Sequence, residues 1–115
     1  LPQDQFDAWL EHAASGAAAA AEETHVEGQA LFLASGCGGC HVVRGTEAKG
    51  RIGPDLTHVG SRHSLAAGAL GNDQQAFETW LRDGQHVKPD NLMPPYDIFS
   101  ETELARLSSY LEQLR

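Results

Sequence analysis

Apolar residues recur at helical spacing in four places along the chain. Phe6, Trp9 and Leu10 lie at i, i+3 and i+4 within residues 1–14, where the charged residues Asp4, Asp7 and Glu11 are all acidic. That pattern predicts a short amphipathic stretch. Val26, Ala30, Leu31 and Leu33 predict a helix over about 26–34, ended by Gly36. Phe77, Trp80 and Leu81 share one face of a helix over about 73–82, with Asn72 as the expected N-cap. Leu104, Leu107, Leu111 and Leu114, with Tyr110 beside them, predict a last helix over about 101–114. Ser100 and Glu103 form an S-x-x-E capping box at its start. No alternating strand pattern and no internal repeat is visible.

Between these periodic segments the chain changes character twice. Residues 15–23 hold one Gly, five consecutive alanines and two glutamates. They read as a linker, partly helical because Ala is the best helix former. The expected division is therefore residues 1–23, a leading segment plus linker, and residues 24–115, a compact unit. Within that unit the stretch before residue 73 is long, rich in Gly and interrupted by Pro54. Loops of that length are uncommon in a compact domain unless something fills them.

Composition narrows the picture. A chain of 115 residues suggests one domain, and such a domain hides roughly two-thirds of its unfolded surface. Only 7% of residues are aromatic, so an apolar cofactor would add usefully to the core. Acidic residues outnumber basic ones 16 to 8, which argues against nucleic acid as a partner. A net charge of -8 serves solubility or a basic partner surface. No apolar run approaches the roughly 20 residues of a membrane helix. The sequence opens at Leu1 without a basic-then-apolar leader, so a processed chain or excised piece is expected, with any membrane anchor in its parent.

The chemistry is concentrated at Cys37-Gly38-Gly39-Cys40-His41, the Cys-x-x-Cys-His signature of c-type haem attachment. Two cysteines three apart can each join one of the two vinyl groups of a haem, and the next residue then offers its imidazole to the iron. Three other readings are weaker. A thioredoxin-like pair needs a preceding strand and a βαβ setting. A zinc site needs about four ligands, and His58 and His63 would have to complete it. A disulfide between residues this close is strained and leaves His41 unexplained. One motif implies one haem.

The second axial position points to Met93, the single methionine, in Leu92-Met93-Pro94-Pro95. Methionine opposite histidine closes the iron and raises its potential, and Pro89, Pro94 and Pro95 stiffen the loop. The bland alternative is a Met filling the core. His58, His63 and His86 are the runners-up as ligand, each more readily read as a surface histidine. Pro54, in Ile52-Gly53-Pro54-Asp55-Leu56, offers a carbonyl to the other ring N–H of His41, the contact that usually orients a metal-bound histidine; a plain turn proline is the competing reading. Leu56 would then pack on the haem face. Arg62 and Trp80 are candidate donors to haem propionates, Trp80 alternatively packing on the ring edge; each reads equally well as plain surface or core.

These residues resemble a known family. From the haem box through Gly53-Pro54-Asp55-Leu56 to Met93-Pro94 and the last helix, the chain is similar to a class I cytochrome c. It most resembles the cytochrome c domain at the C-terminus of subunit II in caa-type haem–copper oxidases. That narrower likeness rests on residues 52–62, Leu65-Ala66-Ala67-Gly68, Trp80-Leu81-Arg82-Asp83, Val87-Lys88-Pro89 and Asn91-Leu92-Met93-Pro94. It covers about residues 27–114. Gly84 stands where a proline is common, and Asp90 where a glycine is common. Phe6-Asp7-Ala8-Trp9-Leu10 looks like the segment that follows the subunit II copper domain, although no Cys-x-x-x-Cys copper pair is present here.

The resemblance implies an all-α class I cytochrome c fold, about three to five helices with long loops wrapped around one haem. It implies a covalently bound haem c in an electron-transfer domain, not an enzyme by itself but part of subunit II of cytochrome c oxidase. The electron would come from a periplasmic donor, a cytochrome or other small redox protein, and pass to the binuclear copper centre of subunit II. The location would be the periplasmic or outer face of the bacterial membrane, reached only through parent segments. A free soluble mono-haem carrier is the alternative, and an open-iron enzyme or gas sensor a third reading.

Overall fold

The computed structural model describes residues 2–68 and 70–115. Four helices carry the fold: α1 (Gln3–Ala14), α2 (Glu23–Ala34), α3 (Gln74–Val87) and α4 (Glu101–Gln113). Tight 3-10 turns lie at Cys37–Gly39, Val59–Ser61 and Ala66–Gly68. Among the described residues the only β-pairing is two isolated bridges, Val42 with Lys49 and Leu65 with Leu70. The architecture is the expected all-α one.

The centre of the fold is the crossing of α2 over α4. Gly28 makes it possible: a Cβ there would strike the Arg106 carbonyl oxygen and come 2.6 Å from Tyr110 Cβ. One turn on, Phe32 packs its ring against Tyr110, with centroids 5.8 Å apart and planes at 57°, a favourable tilted aromatic pair. Glu27 and Arg106 form an ion pair at the rim of the crossing. Phe32, Leu104, Leu107, Tyr110 and Leu114 are almost wholly buried, so the leucine repeat of α4 does face the core. The Ser100 hydroxyl accepts from the Glu103 amide at 3.1 Å, and the Glu103 carboxylate accepts from the Ser100 amide at 3.0 Å. The capping box is complete, and such caps contribute about 1 kcal/mol. Leu114 ends α4, and its carbonyl accepts from the Gly60 amide at 2.6 Å.

Two local expectations need correction. The N-cap of α3 is Asp73, whose carboxylate accepts from the Ala76 amide at 2.7 Å. The neighbouring Asn72 instead donates to the carbonyls of Val59 and Arg62, at 3.0 and 2.5 Å, tying the preceding loop down. The helix also runs on to Val87, through a kink at Asp83 (φ -129°, ψ 36°).

The alanine-rich stretch is not helical. Ser15 leaves α1 with extended backbone (φ -72°, ψ 162°), and no helix forms until Glu23. Ala17 and Ala20 pack against the core, and the Ala17 amide donates to the Arg44 carbonyl at 2.9 Å. Tertiary contacts override a propensity of a few tenths of a kcal/mol per residue. α1 forms as its spacing predicts; Leu1 lies outside the described residues. None of its residues is buried, and Phe6 and Trp9 stack on each other in the open, 6.1 Å between centroids.

Candidate cofactor site

Gly36 ends α2 in the left-handed conformation, φ +83°, and the next residues coil into a single tight turn. The amides of Cys40 and His41 both donate to the Cys37 carbonyl, at 3.2 and 3.0 Å. One turn therefore carries two thiols and an imidazole to the same wall of a cavity. The turn is braced from behind. The Gly50 amide donates to the Gly38 carbonyl at 2.9 Å and the Gly53 amide to the Cys40 carbonyl at 2.7 Å. At Gly50 a Cβ would collide with the Gly39 backbone, so only glycine permits that approach. Both cysteines are free thiols. Burial pushes the Cys37 thiol up to about 11.

His41 Nδ1 lies 2.7 Å from the Pro54 carbonyl oxygen. A carbonyl can only accept, so Nδ1 carries the proton and Nε2 keeps its lone pair for a metal. Gly53 leaves room for the ring: a Cβ there would lie 2.7 Å from Nδ1. Asp55 anchors the same loop. Burial tends to raise its pKa, but hydrogen bonds from the Thr57 hydroxyl and amide, with the charges of Arg44 and His58, outweigh burial and hold the carboxyl below its ordinary value. A depressed carboxyl stabilises the fold above its unfolded pKa, near 3.8. That contribution disappears as the pH falls through the lower folded value.

The cavity is about 480 Å³, within the range of sites for small molecules and cofactors. Phe32, Leu56, Val59, Phe77, Leu81 and Leu107 make it apolar. All eight residues singled out from the sequence line it: Cys37, Cys40, His41, Pro54, Leu56, Arg62, Trp80 and Met93. Arg62 is exposed, and its guanidinium donates to the Asp55 carbonyl at 2.6 Å. The Trp80 indole N–H points at Met93 Sδ, 3.2 Å away. The runner-up ligands stand elsewhere. His63 and His86 are exposed. His58 ring nitrogens lie 3.0 Å from the carbonyls of Ser15 and Arg115. None of the three lines the cavity.

Two residues to which the sequence assigned no role hold the Met93 loop. Asn91 accepts from the Met93 amide at 2.9 Å and donates to the carbonyls of Gly84 and Lys88, at 3.1 and 2.8 Å. Gln85 donates to the carbonyls of Asn91 and Met93, at 2.7 and 3.2 Å, and accepts from the Asp90 amide at 3.1 Å. Asp90 sits at φ +65°, the region that favours glycine. The tight turn explains why glycine is common there. The Tyr96 amide donates to the Leu81 carbonyl at 2.8 Å, closing the loop back onto α3.

The donor set is two thiols, an imidazole nitrogen and a thioether on one apolar cavity, which fits haem. Zinc fits less well: among the described residues no group of three or more His, Cys, Asp or Glu could hold a metal ion. A thioredoxin-like site fits less well too, because the motif follows a helix and not a strand.

Comparison with known proteins agrees with this geometry. The chain is 36% identical over its full length to cytochrome c oxidase subunit 2 of Alkalihalophilus pseudofirmus. It is 35% identical to the subunit 2 of Bacillus sp. strain PS3, again over the full chain. The corresponding protein of Bacillus subtilis is 27% identical over 96% of the chain. In each case the chain spans only about a third of the relative's length, 33%, 33% and 32%. The family model for cytochrome c matches residues 25–115, from the start of α2 through the cavity to the end of α4, and the chain belongs to the cytochrome c family.

Proposed function

We propose that this chain is a covalent haem c domain that receives single electrons from a periplasmic donor. It hands them to the binuclear copper centre of a subunit II of which it is the cytochrome portion. The observation that carries this reading is the convergence of Cys37, Cys40, His41 and Met93 on one apolar cavity, with His41 oriented by Pro54. Cys37 and Cys40 would hold the cofactor through two thioethers, and His41 Nε2 and Met93 Sδ would be the axial ligands. Bound there, haem supplies one-electron redox chemistry.

The protein's own part is to keep the site the same in both oxidation states. Pro54 and Gly53 fix the imidazole, while Asn91 and Gln85 fix the loop that carries the thioether. A ligand that does not move lowers the reorganisation accompanying each transfer. Ile52 and Leu92 line the cavity yet are 78% and 92% exposed, an apolar rim on which a partner can dock and exclude water. Attachment to the oxidase suits this role, because it makes transfer to the copper centre an intramolecular step. Residues 1–23 would be the connection to the copper domain and 24–115 the cytochrome domain. Covalent haem attachment and the copper partner both call for the periplasmic or outer face of the membrane.

Met93→Ala tests the closed site. The variant is expected to keep its covalent haem and to bind carbon monoxide when reduced, and the unaltered chain is expected not to bind it. In the intact oxidase it should slow reduction of the copper centre by the donor. Carbon monoxide binding by the unaltered chain would favour an open-iron sensor or enzyme. An unslowed copper centre would mean that the donor bypasses this domain.

A further inference from the structure

The C-terminal end of α1 is gripped by Arg44 and His58. The Arg44 guanidinium donates from Nη2 to the Ala13 carbonyl at 2.7 Å and from Nη1 to the Ala14 carbonyl at 2.9 Å. His58 Nε2 lies 3.0 Å from the Ser15 carbonyl, and its ring lies against that of His12 of α1, 4.6 Å between centroids and tilted by 39°. These three consecutive carbonyls lie at the end of a helix, where carbonyls lack helical partners and the macrodipole is negative. A forked cation is well matched to that end.

Arg44 is itself fixed. Its amide donates to the Thr57 hydroxyl at 2.9 Å, and its carbonyl accepts from the Ala17 amide at 2.9 Å. Its Nε stands 3.5 Å from the Asp55 carboxylate. α1 buries no side chain of its own, so apolar packing of the helix does not hold it in place. The seat also adjoins the proximal side of the cavity, since Asp55 follows Pro54 directly.

We propose that Arg44, assisted by His58, is a latch that seats the C-terminus of α1 on the cytochrome domain, so that arm and domain move as one body. The alanine-rich stretch is then a fixed strap and not a swinging tether. On the function proposed above, the parent oxidase would present the cavity to its copper centre in one orientation. The latch uses none of the residues that would hold haem, and it is tested on the chain as made alongside haem-attachment machinery.

Elastase, which cuts after small residues, reads the state of residues 17–21 in the 115-residue chain. Cutting in the unaltered protein should be slow, and much slower than in a free peptide of residues 10–24. Arg44→Gln should raise the rate about tenfold, as expected for losing charge-assisted bonds that are partly exposed. Arg44→Lys, which keeps the charge without the fork, should fall between. Thermal unfolding of the same samples separates local release from loss of the domain. Equal rates in the unaltered chain and Arg44→Gln would overturn the latch, whether both are fast or both slow. If Arg44→Gln does not fold, the peptide comparison decides: cutting of the intact chain as fast as the peptide overturns the proposal, and protection supports it. A missing haem spectrum would strike the functional reading, whereas the difference in cutting rate between the unaltered chain and Arg44→Gln bears on the latch.

Discussion

Replacing both Cys37 and Cys40 by alanine is expected to abolish covalent haem altogether. Protein made alongside haem-attachment machinery should retain its haem through acid–acetone extraction, and the double variant should release all of it. The two thiols stand on one turn held by hydrogen bonds to the Cys37 carbonyl, and both line the same cavity. Neither is engaged in a disulfide. A single variant should keep one thioether and resist extraction while staining more weakly. The apolar walls and His41 remain in the double variant, so non-covalent haem can still enter. Extraction is therefore the deciding readout, and colour alone is not. Haem that stays with the double variant after extraction would show attachment through another residue.

Gly28→Ala is expected to cost about 2–3 kcal/mol of stability, near the upper end for overpacking a tight core. The new methyl would meet the Arg106 carbonyl oxygen and Tyr110 Cβ. One of these is backbone and the other the root of a side chain, so no rotamer change relieves the contact. The helices must separate, and the Phe32–Tyr110 pair and the leucine layer of α4 separate with them. A higher helix propensity for alanine returns only about 1 kcal/mol. For a domain of this size each kcal/mol lowers the melting temperature by about 4–8 °C. Thermal unfolding should thus shift down by about 10 °C or more. An unchanged melting temperature would mean that α2 and α4 do not cross at Gly28.

The sequence made the helices and the cofactor wall legible, for physical reasons. Leu104, Leu107 and Leu111 are periodic because one face of α4 is buried, and periodicity is a local signal. Cys37, Cys40 and His41 are recognisable because the haem attachment proposed for them would dictate their spacing. Pro54 could be anticipated because a ligating histidine needs an acceptor for its second nitrogen. What escaped was non-local. Asn72 and Asp73 are both good N-caps, and only the fold shows that Asn72 is needed elsewhere, on the carbonyls of Val59 and Arg62. The five alanines favour a helix when alone, yet Ala17 and Ala20 pack on the core, Ala17 bonds to the Arg44 carbonyl, and no helix forms there. Gln85 and Asn91 grip the Met93 loop through bonds that cross a turn, and no periodicity announces such bonds. The Trp80 N–H meets the Met93 sulfur from thirteen residues away, a contact that no local pattern signals.

The central claim is that Cys37, Cys40, His41 and Met93 hold one haem with both axial positions filled. The most direct measurement is the absorption spectrum of the purified chain, oxidised and then reduced, including the weak long-wavelength band of sulfur bonded to ferric haem iron. The account predicts a low-spin c-type spectrum with that band present in the oxidised protein and lost in Met93→Ala. A c-type spectrum without the band would contradict Met93 as ligand, and no haem spectrum at all would contradict the claim outright.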